Sequence, residues 1–324
     1  MSYVDYTYAV ARIRAMEMTL FSSATIEQLM GMKSYESCIQ FLTEKGWGDS
    51  SSNLDAEGIL AKEDEKTWST IRELLKDKQD VLDIFSYPKL FHNLKSAIKE
   101  SVDDKPHGNI YFDDCAMDGE YMRKIVRDKD FSSLPDFMRE AGKEAYETFL
   151  HTRDGQLCDI IVDHAALVAI YEAGKKAQDS IIRDYAESTV AVANIKIAVR
   201  SQRTAKSLEF MKRSMAECDS LNIDRLMAAA LSGMDAICDF LAGTKYAGGA
   251  EALKTSASAF ECWCDNQMIE TMKPQKYNPF SVGPLVAYVI ARQNEIKTVR
   301  MILTGKLNEL PEQQIRERIR EMYV

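Results

Sequence analysis

Three aspartates in the segment DDCAMD come closest, by type and spacing, to a catalytic motif. Paired aspartates on a helix can hold Mg²⁺ against a diphosphate, because Mg²⁺ prefers oxygen ligands. The spacing here is one residue longer than the usual prenyl-transfer pattern, and no second aspartate-rich segment accompanies it. We therefore interpret the segment as a solvated acidic loop and helix cap. The alternative is a Mg²⁺-dependent diphosphate enzyme that uses Asp113, Asp114 and Asp118.

Other groups of reactive residues also lack the spacing that chemistry requires. Cys262 and Cys264 are separated by one residue, whereas structural zinc needs four ligands and usually two to four residues between paired cysteines. Asp163 and His164 are adjacent, and adjacent residues on a helix do not face each other. The segment LTGKL at 303–307 lacks the first glycine and the final Ser/Thr of a phosphate-binding loop. We expect no catalytic residue, no metal and no cofactor.

The composition is that of a globular protein with a sizeable core. The chain has 324 residues, 46% of them hydrophobic and 28% charged. Its net charge of −9 argues against a nucleic-acid-binding protein, which needs a basic surface. The sequence predicts neither a signal peptide nor a membrane-spanning helix. Seven cysteines in amphipathic patterns indicate buried thiols in a reducing cytoplasm.

Helical periodicity dominates the sequence, and alternation typical of strands is nearly absent. Apolar residues recur with a helical period in, for example, residues 26–42 and 224–241, and glycine and proline are scarce, at 15 and 7. The main predicted loops cover 46–56, 101–119 and 243–250. We predict an all-α fold.

Two sequence elements recur with a period near 100 residues. The first is HNLKSAIKE, which reappears as ANIKIAVRS; Asn194 lies 101 residues after Asn93. A further 101 residues lead to Glu295, where glutamate replaces the asparagine. The second element ends a helix and contains Phe41, Phe137 or Phe240. The period predicts three related helical modules that close around a pseudo-threefold axis rather than stack as an open superhelix. Their boundaries are 1–88, 89–188 and 189–324.

Similar segments at the two ends of the chain, YAVAR and YVIAR, predict that the first helix packs against a C-terminal helix. Each of these helices carries one charge in its apolar stripe, Glu17 in the first and Arg292 in the last. An unpaired charge in such a position costs several kcal/mol. We therefore predict that Glu17 and Arg292 pair at a structural seam between the two helices.

Polar and basic residues on the two asparagine-containing helices are candidates for contact with a partner. The simplest interpretation of the basic residues is a solvated face, and the functional alternative is a surface that grips another protein. The candidate partner-facing residues are Asn93, Lys95, Lys99, Asn194, Lys196 and Arg200, with Arg203 and Lys206 nearby.

Several of these segments together resemble a known family. They are YTYAVARIRAMEMTLFSSATIEQLM, FHNLKSAIK, VANIKIAVRSQR and, most specifically, VAYVIARQNEIKTVRMILTGKLNELPEQQIRERIREMYV. The chain resembles the C subunit of archaeal and bacterial V-type (A-type) ATPases, which is related to the d subunit of the eukaryotic vacuolar ATPase. The segment 103–124 is less typical of the family. Where the family often has asparagine, three positions after Glu295, this chain has Thr298.

The resemblance implies that the three modules form a funnel and that the chain is a non-catalytic adaptor in the central rotor of a rotary ATPase. Such an adaptor lies on the cytoplasmic face of the membrane, on the ring of proteolipids, and its cavity receives the central shaft, which the D and F subunits form. It would couple ion transport to ATP synthesis or hydrolysis, with no small-molecule substrate of its own. A helical scaffold of unrelated function and the diphosphate enzyme remain the alternatives.

Overall fold

The computed structural model describes residues 6–48, 55–102, 110–112 and 115–324, the side chains of 77–80 excepted. Within these ranges all regular structure is helical, which confirms the all-α prediction. Short 3₁₀ helices occur at Lys76–Phe85, Phe131–Ser133 and Lys273–Tyr277. In chain order the α-helices are α1 (Thr7–Glu17), α2 (Ser23–Met30), α3 (Tyr35–Glu44), α4 (Ala56–Leu75), α5 (Tyr87–Glu100), α6 (Gly119–Asp128), α7 (Asp136–Thr152), α8 (Gly155–Lys176), α9 (Ser180–Arg203), α10 (Leu208–Ser214), α11 (Ile223–Ser232), α12 (Met234–Ala242), α13 (Ala247–Thr255), α14 (Ala257–Met272), α15 (Gly283–Leu307) and α16 (Glu312–Arg316).

The contacts divide the chain into two compact units. Unit 1 combines both ends of the chain, Met1–Gln79 and Gly248–Val324, and unit 2 is the continuous segment Asp80–Ala247. The division into modules 1–88, 89–188 and 189–324 therefore stays a prediction, while a single unit contains both the first and the last helices.

Helix α15 is the centre of unit 1. It is buried around most of its circumference, and α1, α2, α3, α4 and α14 all contact it. Pro284 lies in its first turn, where a backbone N–H would have no partner within the helix, so its absence costs nothing. The other residues of α15 are apolar on several faces of the helix. Leu285, Val289, Val299 and Ile302 are essentially inaccessible to solvent. The N-terminal helices therefore form their core on a helix that lies more than 200 residues later in the sequence.

Helices α5, α8 and α9 form the centre of unit 2. Helix α8 contacts α5, α7, α9 and α10, and α9 also contacts α11 and α12. One core of unit 2 contains Leu94 and Ile98 from α5, Met138 from α7 and Val162 from α8. Because each of these helices buries one face against α8 or α9, the polar side chains of α5 and α9 are fixed by the surrounding packing.

Helices α2, α6 and α11 begin in the same way. Each starts with a side chain that accepts a hydrogen bond from a backbone N–H in the first turn, which satisfies a group with no partner inside the helix. A buried apolar residue precedes each cap, and another follows four residues after it, the arrangement of a hydrophobic staple. The caps are Ser22, Asp118 and Asn222; the preceding residues are Phe21, Met117 and Leu221; the following ones are Ile26, Met122 and Leu226.

Among the described residues, we find no helix that combines the length and the hydropathy required to cross a bilayer.

Candidate functional site: polar side chains of the long helices

Asn93 on α5 holds the backbone that leads into α6. Its amide oxygen accepts a hydrogen bond from the N–H of Phe112 at 2.9 Å, and its amide nitrogen donates to the carbonyl of the same residue at 2.8 Å. The nitrogen also donates to the carbonyl of Met117 at 3.0 Å. Asn93 is fully buried, so its amide takes these backbone groups, and not water, as hydrogen-bond partners.

Asn194 on α9 makes the same contact with the backbone that leads into α11. Its oxygen accepts from the N–H of Ala216 at 3.1 Å, and its nitrogen donates to the carbonyl of Ala216 at 2.7 Å. It too is completely inaccessible to solvent. We call Asn93 and Asn194, with the backbone that they bind, the asparagine sites. Their burial corrects the expectation that these two residues face a partner, because both amides form their hydrogen bonds inside unit 2.

Glu295 on α15 takes the corresponding position in unit 1. One carboxylate oxygen accepts a hydrogen bond from the backbone N–H of Phe21 at 2.5 Å, just before α2 begins. The other oxygen accepts from a terminal nitrogen of Arg292 at 2.6 Å. We call Glu295, Arg292 and the N–H of Phe21 the glutamate site. It joins two positions that are 274 residues apart in sequence.

Arg292 is buried together with its counter-charge. Its side chain is 6% exposed and that of Glu295 is 3% exposed. The second terminal nitrogen donates to the hydroxyls of Thr19 at 3.1 Å and of Tyr288 at 3.3 Å. The guanidinium also lies 5.8 Å from the ring centre of Trp47, within the range of a cation–π contact. These contacts compensate a cation that would otherwise be strongly destabilising in this position.

Burial controls the titration of the glutamate site. Loss of solvent raises the pKa of Glu295 to about 7, although Arg292 and the N–H of Phe21 favour the carboxylate and lower it. The nearby carboxylate of Glu63 raises the pKa further. The same counter-charge raises the pKa of Arg292 against the effect of its own burial, so the arginine keeps its charge.

The predicted direct pair between Glu17 and Arg292 does not form. Glu17 accepts two hydrogen bonds from Arg14 at 2.8 and 2.9 Å, and Arg292 binds Glu295. Both charges are buried in unit 1, where α1 contacts α15. Each charge has a counter-charge three residues away on its own helix. A pair within one helix costs less conformational entropy than a pair that holds two helices together.

The candidate lysines of α5 are bound to α8. Lys95 contacts Asp163 at 2.7 Å, and Lys99 contacts Asp159 at 2.6 Å. These ion pairs are partly exposed and tie the two helices together along their outer edge. Asp163 therefore binds a lysine and does not form a dyad with the adjacent His164. On α9, Lys196 and Arg200 are exposed, and their role in binding a partner stays a prediction.

Those residues considered for metal chemistry that the structure describes have other structural roles. Asp118 caps α6 by accepting from the N–H of Tyr121 at 2.8 Å, while Asp113 and Asp114 lie outside the described residues. The thiol of Cys262 donates to the carbonyl of Ile319 at 3.4 Å. Within the described parts of the chain, no three His, Cys, Asp or Glu side chains are grouped as metal ligands.

Sequence reasoning missed the pair of Arg292 and Glu295, although the signal was present. The two residues are three positions apart on a predicted helix, a spacing that brings side chains together. The N–H of Phe21 had no comparable signal, because a backbone group at the other end of the chain has no side-chain pattern of its own.

These contacts define an all-helical protein whose buried polar side chains hold backbone segments in place. Comparison of the sequence with known proteins identifies the family to which this all-helical protein belongs. The family model for the ATP synthase (C/AC39) subunit matches residues 9–318. The chain belongs to this family, as its sequence resemblance indicated.

Relatives of the chain share its full length at low identity. It is 23% identical to the C subunit of the V-type sodium ATPase of Enterococcus hirae over 321 residues, which cover 96% of this chain and 97% of the relative. It is 23% identical to the C subunit of the A-type ATP synthase of Methanocaldococcus jannaschii, covering 96% of this chain and 85% of the relative. For the C subunit of the V-type ATP synthase of Thermus thermophilus the identity is 19%, with 97% and 98% covered.

Proposed function

We propose that this chain is a non-catalytic adaptor in the central rotor of a V/A-type rotary ATPase. In this role it connects the central shaft, formed by the D and F subunits, to the ring of proteolipids, and it couples ion transport to ATP synthesis or hydrolysis. The family match over residues 9–318 is the observation that carries the proposal. The full-length similarity to proteins named as ATPase and ATP synthase subunits supports it.

The contacts between the two ends of the chain suit a part that transmits torque. In unit 1, Lys306 on α15 donates to the carbonyls of Met30 and Met32, each at 2.8 Å. Arg300 binds the carboxylate of Glu57 on α4 through two nitrogens at 3.0 and 3.1 Å. With the glutamate site, these contacts fix α15 to the N-terminal helices at several points along its length. A shear force between the N-terminal helices and α15 would have to break all of these contacts at once.

The proposed position is peripheral, on the cytoplasmic face of the membrane. The funnel of three modules remains part of this proposal, and the repeated contacts of Asn93, Asn194 and Glu295 with backbone N–H groups support it. We propose no active site, cofactor, nucleic acid or small-molecule substrate for the chain. Its partners would be the other subunits of the ATPase.

Capture of the shaft by the purified chain tests the adaptor function. The chain is immobilised, the folded D–F complex is added at micromolar concentration, and the bound ratio is measured at low and at raised salt. We expect capture close to one to one, with a salt dependence that reports the electrostatic share of binding. An unrelated helical protein of equal net charge is the control. If a folded shaft is not captured, or is captured equally by the control, the proposal fails.

A further inference from the structure

The most exposed large hydrophobic side chains of the described residues all belong to unit 1. Tyr277 is 89% exposed, Met18 87%, Tyr8 74% and Phe280 63%. Side chains with such exposures touch little of their own protein, so they project from it individually. Single exposed apolar residues are ordinary, but four of this size in one unit require an explanation.

Arg14 brings the two segments that carry these side chains together. One of its terminal nitrogens donates to the carbonyl of Gln275 at 2.6 Å and to that of Asn278 at 3.2 Å. Helix α1 is therefore in direct contact with the turn at 275–280. Tyr8 on α1 and Met18, which directly follows this helix, belong to a stripe that also includes the exposed Ala11 and Ala15; this spacing places all four on one side.

The turn that carries Tyr277 and Phe280 is held by its own hydrogen bonds. The amide nitrogen of Asn278 donates to the hydroxyl of Ser281 at 2.7 Å and to the side-chain oxygen of Gln275 at 3.1 Å. Prolines at 274 and 279 restrict the backbone further. The two aromatic side chains are thus presented outward by a turn with little freedom, and binding through them costs little conformational entropy.

Two cations, Arg12 and Lys276, border this surface, although the chain has a net charge of −9. Of the two lysines in residues 271–283, Lys273 is bound to Glu270 and Glu321, so Lys276 is the lysine that adds a cation here. Helix α1 contains two arginines and one glutamate, and that glutamate, Glu17, is bound to Arg14. Arg12 is exposed, and the ammonium of Lys276 lies 4.6 Å from the ring centre of Tyr323. An apolar surface bordered by these two cations is complementary to a partner that has apolar groups beneath a negatively charged surface.

We propose that this surface, formed by Tyr8, Met18, Tyr277 and Phe280 with the cations Arg12 and Lys276, binds an anionic lipid surface. Aromatic rings are stable at the level of lipid headgroups, and lysine or arginine can reach the phosphates while its aliphatic part stays near the acyl chains. A protein partner would be expected to meet a cleft or a flat patch, whereas these side chains project singly. The proposal rests on the membrane-face position proposed above and adds a direct lipid contact to it.

Binding of the full-length chain to vesicles tests the lipid contact. Sedimentation with vesicles of phosphatidylcholine alone, and of phosphatidylcholine with phosphatidylglycerol, measures partition. We expect binding only to the anionic vesicles, weakened at least about tenfold in the double variant Y277S/F280S, since each side chain loses its apolar contact. The variant Lys276→Gln should weaken it about fivefold, which corresponds to one headgroup contact.

Leu307 provides the matched control for these variants. It is 62% exposed, nearly as much as Phe280, but it lies at the other end of α15. The start of α15 lies close to the turn at 275–280. Since an α-helix rises 1.5 Å per residue, Leu307 is roughly 36 Å from that start. Leu307→Ser should leave partition unchanged. In addition, after subtraction of the signal of the three native tryptophans, the fluorescence of Phe280→Trp should shift to the blue and be quenched by brominated lipid, while that of Leu307→Trp should not.

The possible outcomes separate this proposal from the adaptor function. Loss of vesicle binding in Y277S/F280S with unchanged shaft capture supports the lipid contact. Absence of binding to anionic vesicles, or equal binding by Y277S/F280S and Leu307→Ser, overturns it. If vesicle binding is absent and capture of purified proteolipid depends on Tyr277 and Phe280, the surface belongs to a protein partner instead. None of these results alters the shaft-capture test.

Discussion

The asparagine sites of unit 2 and the glutamate site of unit 1 hold a backbone N–H at equivalent points of long helices. Asn93 and Asn194 each accept from an N–H and donate to the carbonyl of the same residue. Glu295 accepts from the N–H of Phe21 but has no proton to donate as a carboxylate. One substitution in a repeated position thus changes a neutral, reciprocal contact into a charged, one-sided one.

The difference explains why an arginine lies within an apolar stripe. Three residues before Asn93 and Asn194, the chain has Leu90 and Ala191, both buried. Three residues before Glu295 it has Arg292. A buried carboxylate needs a counter-charge, whereas a buried amide needs only hydrogen-bond partners. Arg292 therefore supplies the counter-charge that Glu295 requires. It pairs with Glu295 on the same helix and not with Glu17.

Removal of the arginine alone should have the largest effect on stability. In Arg292→Leu, which introduces the residue found at position 90, Glu295 stays buried without its counter-charge. We expect a loss of about 3–5 kcal/mol in the free energy of unfolding of unit 1. Urea denaturation followed by circular dichroism measures the loss. If the midpoint and slope are unchanged, the pair has no structural importance.

The glutamate site should also make stability depend on pH. Burial raises the pKa of Glu295 from 4.5 to about 7, so the native state binds a proton that the unfolded state has released between these values. Stability is then highest below pH 4.5 for this group and falls as the pH rises through 7, by about 3 kcal/mol. Glu295→Gln should remove this decline.

The contribution of Glu295 is obtained by comparing how stability depends on pH in the unmodified chain and in Glu295→Gln. Burial lowers the pKa of His164, so this histidine contributes an increase of stability with pH in both proteins. Subtraction of the Glu295→Gln profile from that of the unmodified chain cancels this contribution. A flat difference between pH 4.5 and 7 would contradict the assignment.

Conversion of the glutamate site into an asparagine site is the sharpest test of the comparison. The double variant R292L/E295N carries the residues that α5 has at positions 90 and 93. We expect it to lose about 1–2 kcal/mol, less than either single variant, because the amide needs no counter-charge. Because the double variant loses less than Glu295→Asn alone, the coupling energy in a double-mutant cycle measured by urea denaturation should be at least about 3 kcal/mol. Additive losses would show that the two sites are not equivalent.

Loss of an asparagine site should cost less than loss of the arginine. Asn194→Ala leaves the N–H and carbonyl of Ala216 without the side chain that binds them, and we expect a loss of about 1–3 kcal/mol. Ser201→Ala is the matched control on the same helix, because Ser201 is buried and its hydroxyl has no hydrogen-bond partner. Thermal denaturation of both variants measures the difference, and equal midpoints would oppose a role for the amide.

The smallest effect is expected at the surface of unit 2. Lys95→Ala removes a partly exposed ion pair with Asp163 and should cost about 0.2–1 kcal/mol, less at high salt. The same denaturation measurement in low and high salt tests this value. A loss as large as that of Asn194→Ala would mean that the lysines of α5, and not its asparagine, hold the helices of unit 2 together.

Much of the fold could be predicted from the sequence, because helical periodicity and caps are local. The repetition of Asn93 at Asn194 and its replacement at Glu295 were also visible, since they depend on residue identity at a fixed spacing. The residues bound at these positions were not predictable. Phe112, Ala216 and Phe21 contribute backbone groups, and nothing in a side-chain pattern marks a backbone N–H as the partner of a distant helix.

Because unit 1 is assembled from both ends of the chain, its synthesis and its folding are separated in time. Unit 2 has all of its residues once position 247 has left the ribosome. Helices α1–α4 are made first but must wait for α15, on which their core forms, while chains grow at about 5–20 residues per second. For that interval the apolar faces of the N-terminal helices lack their native cover. The N-terminal helices of unit 1 thus complete their core only after α15 has been made, later than unit 2 can complete its own.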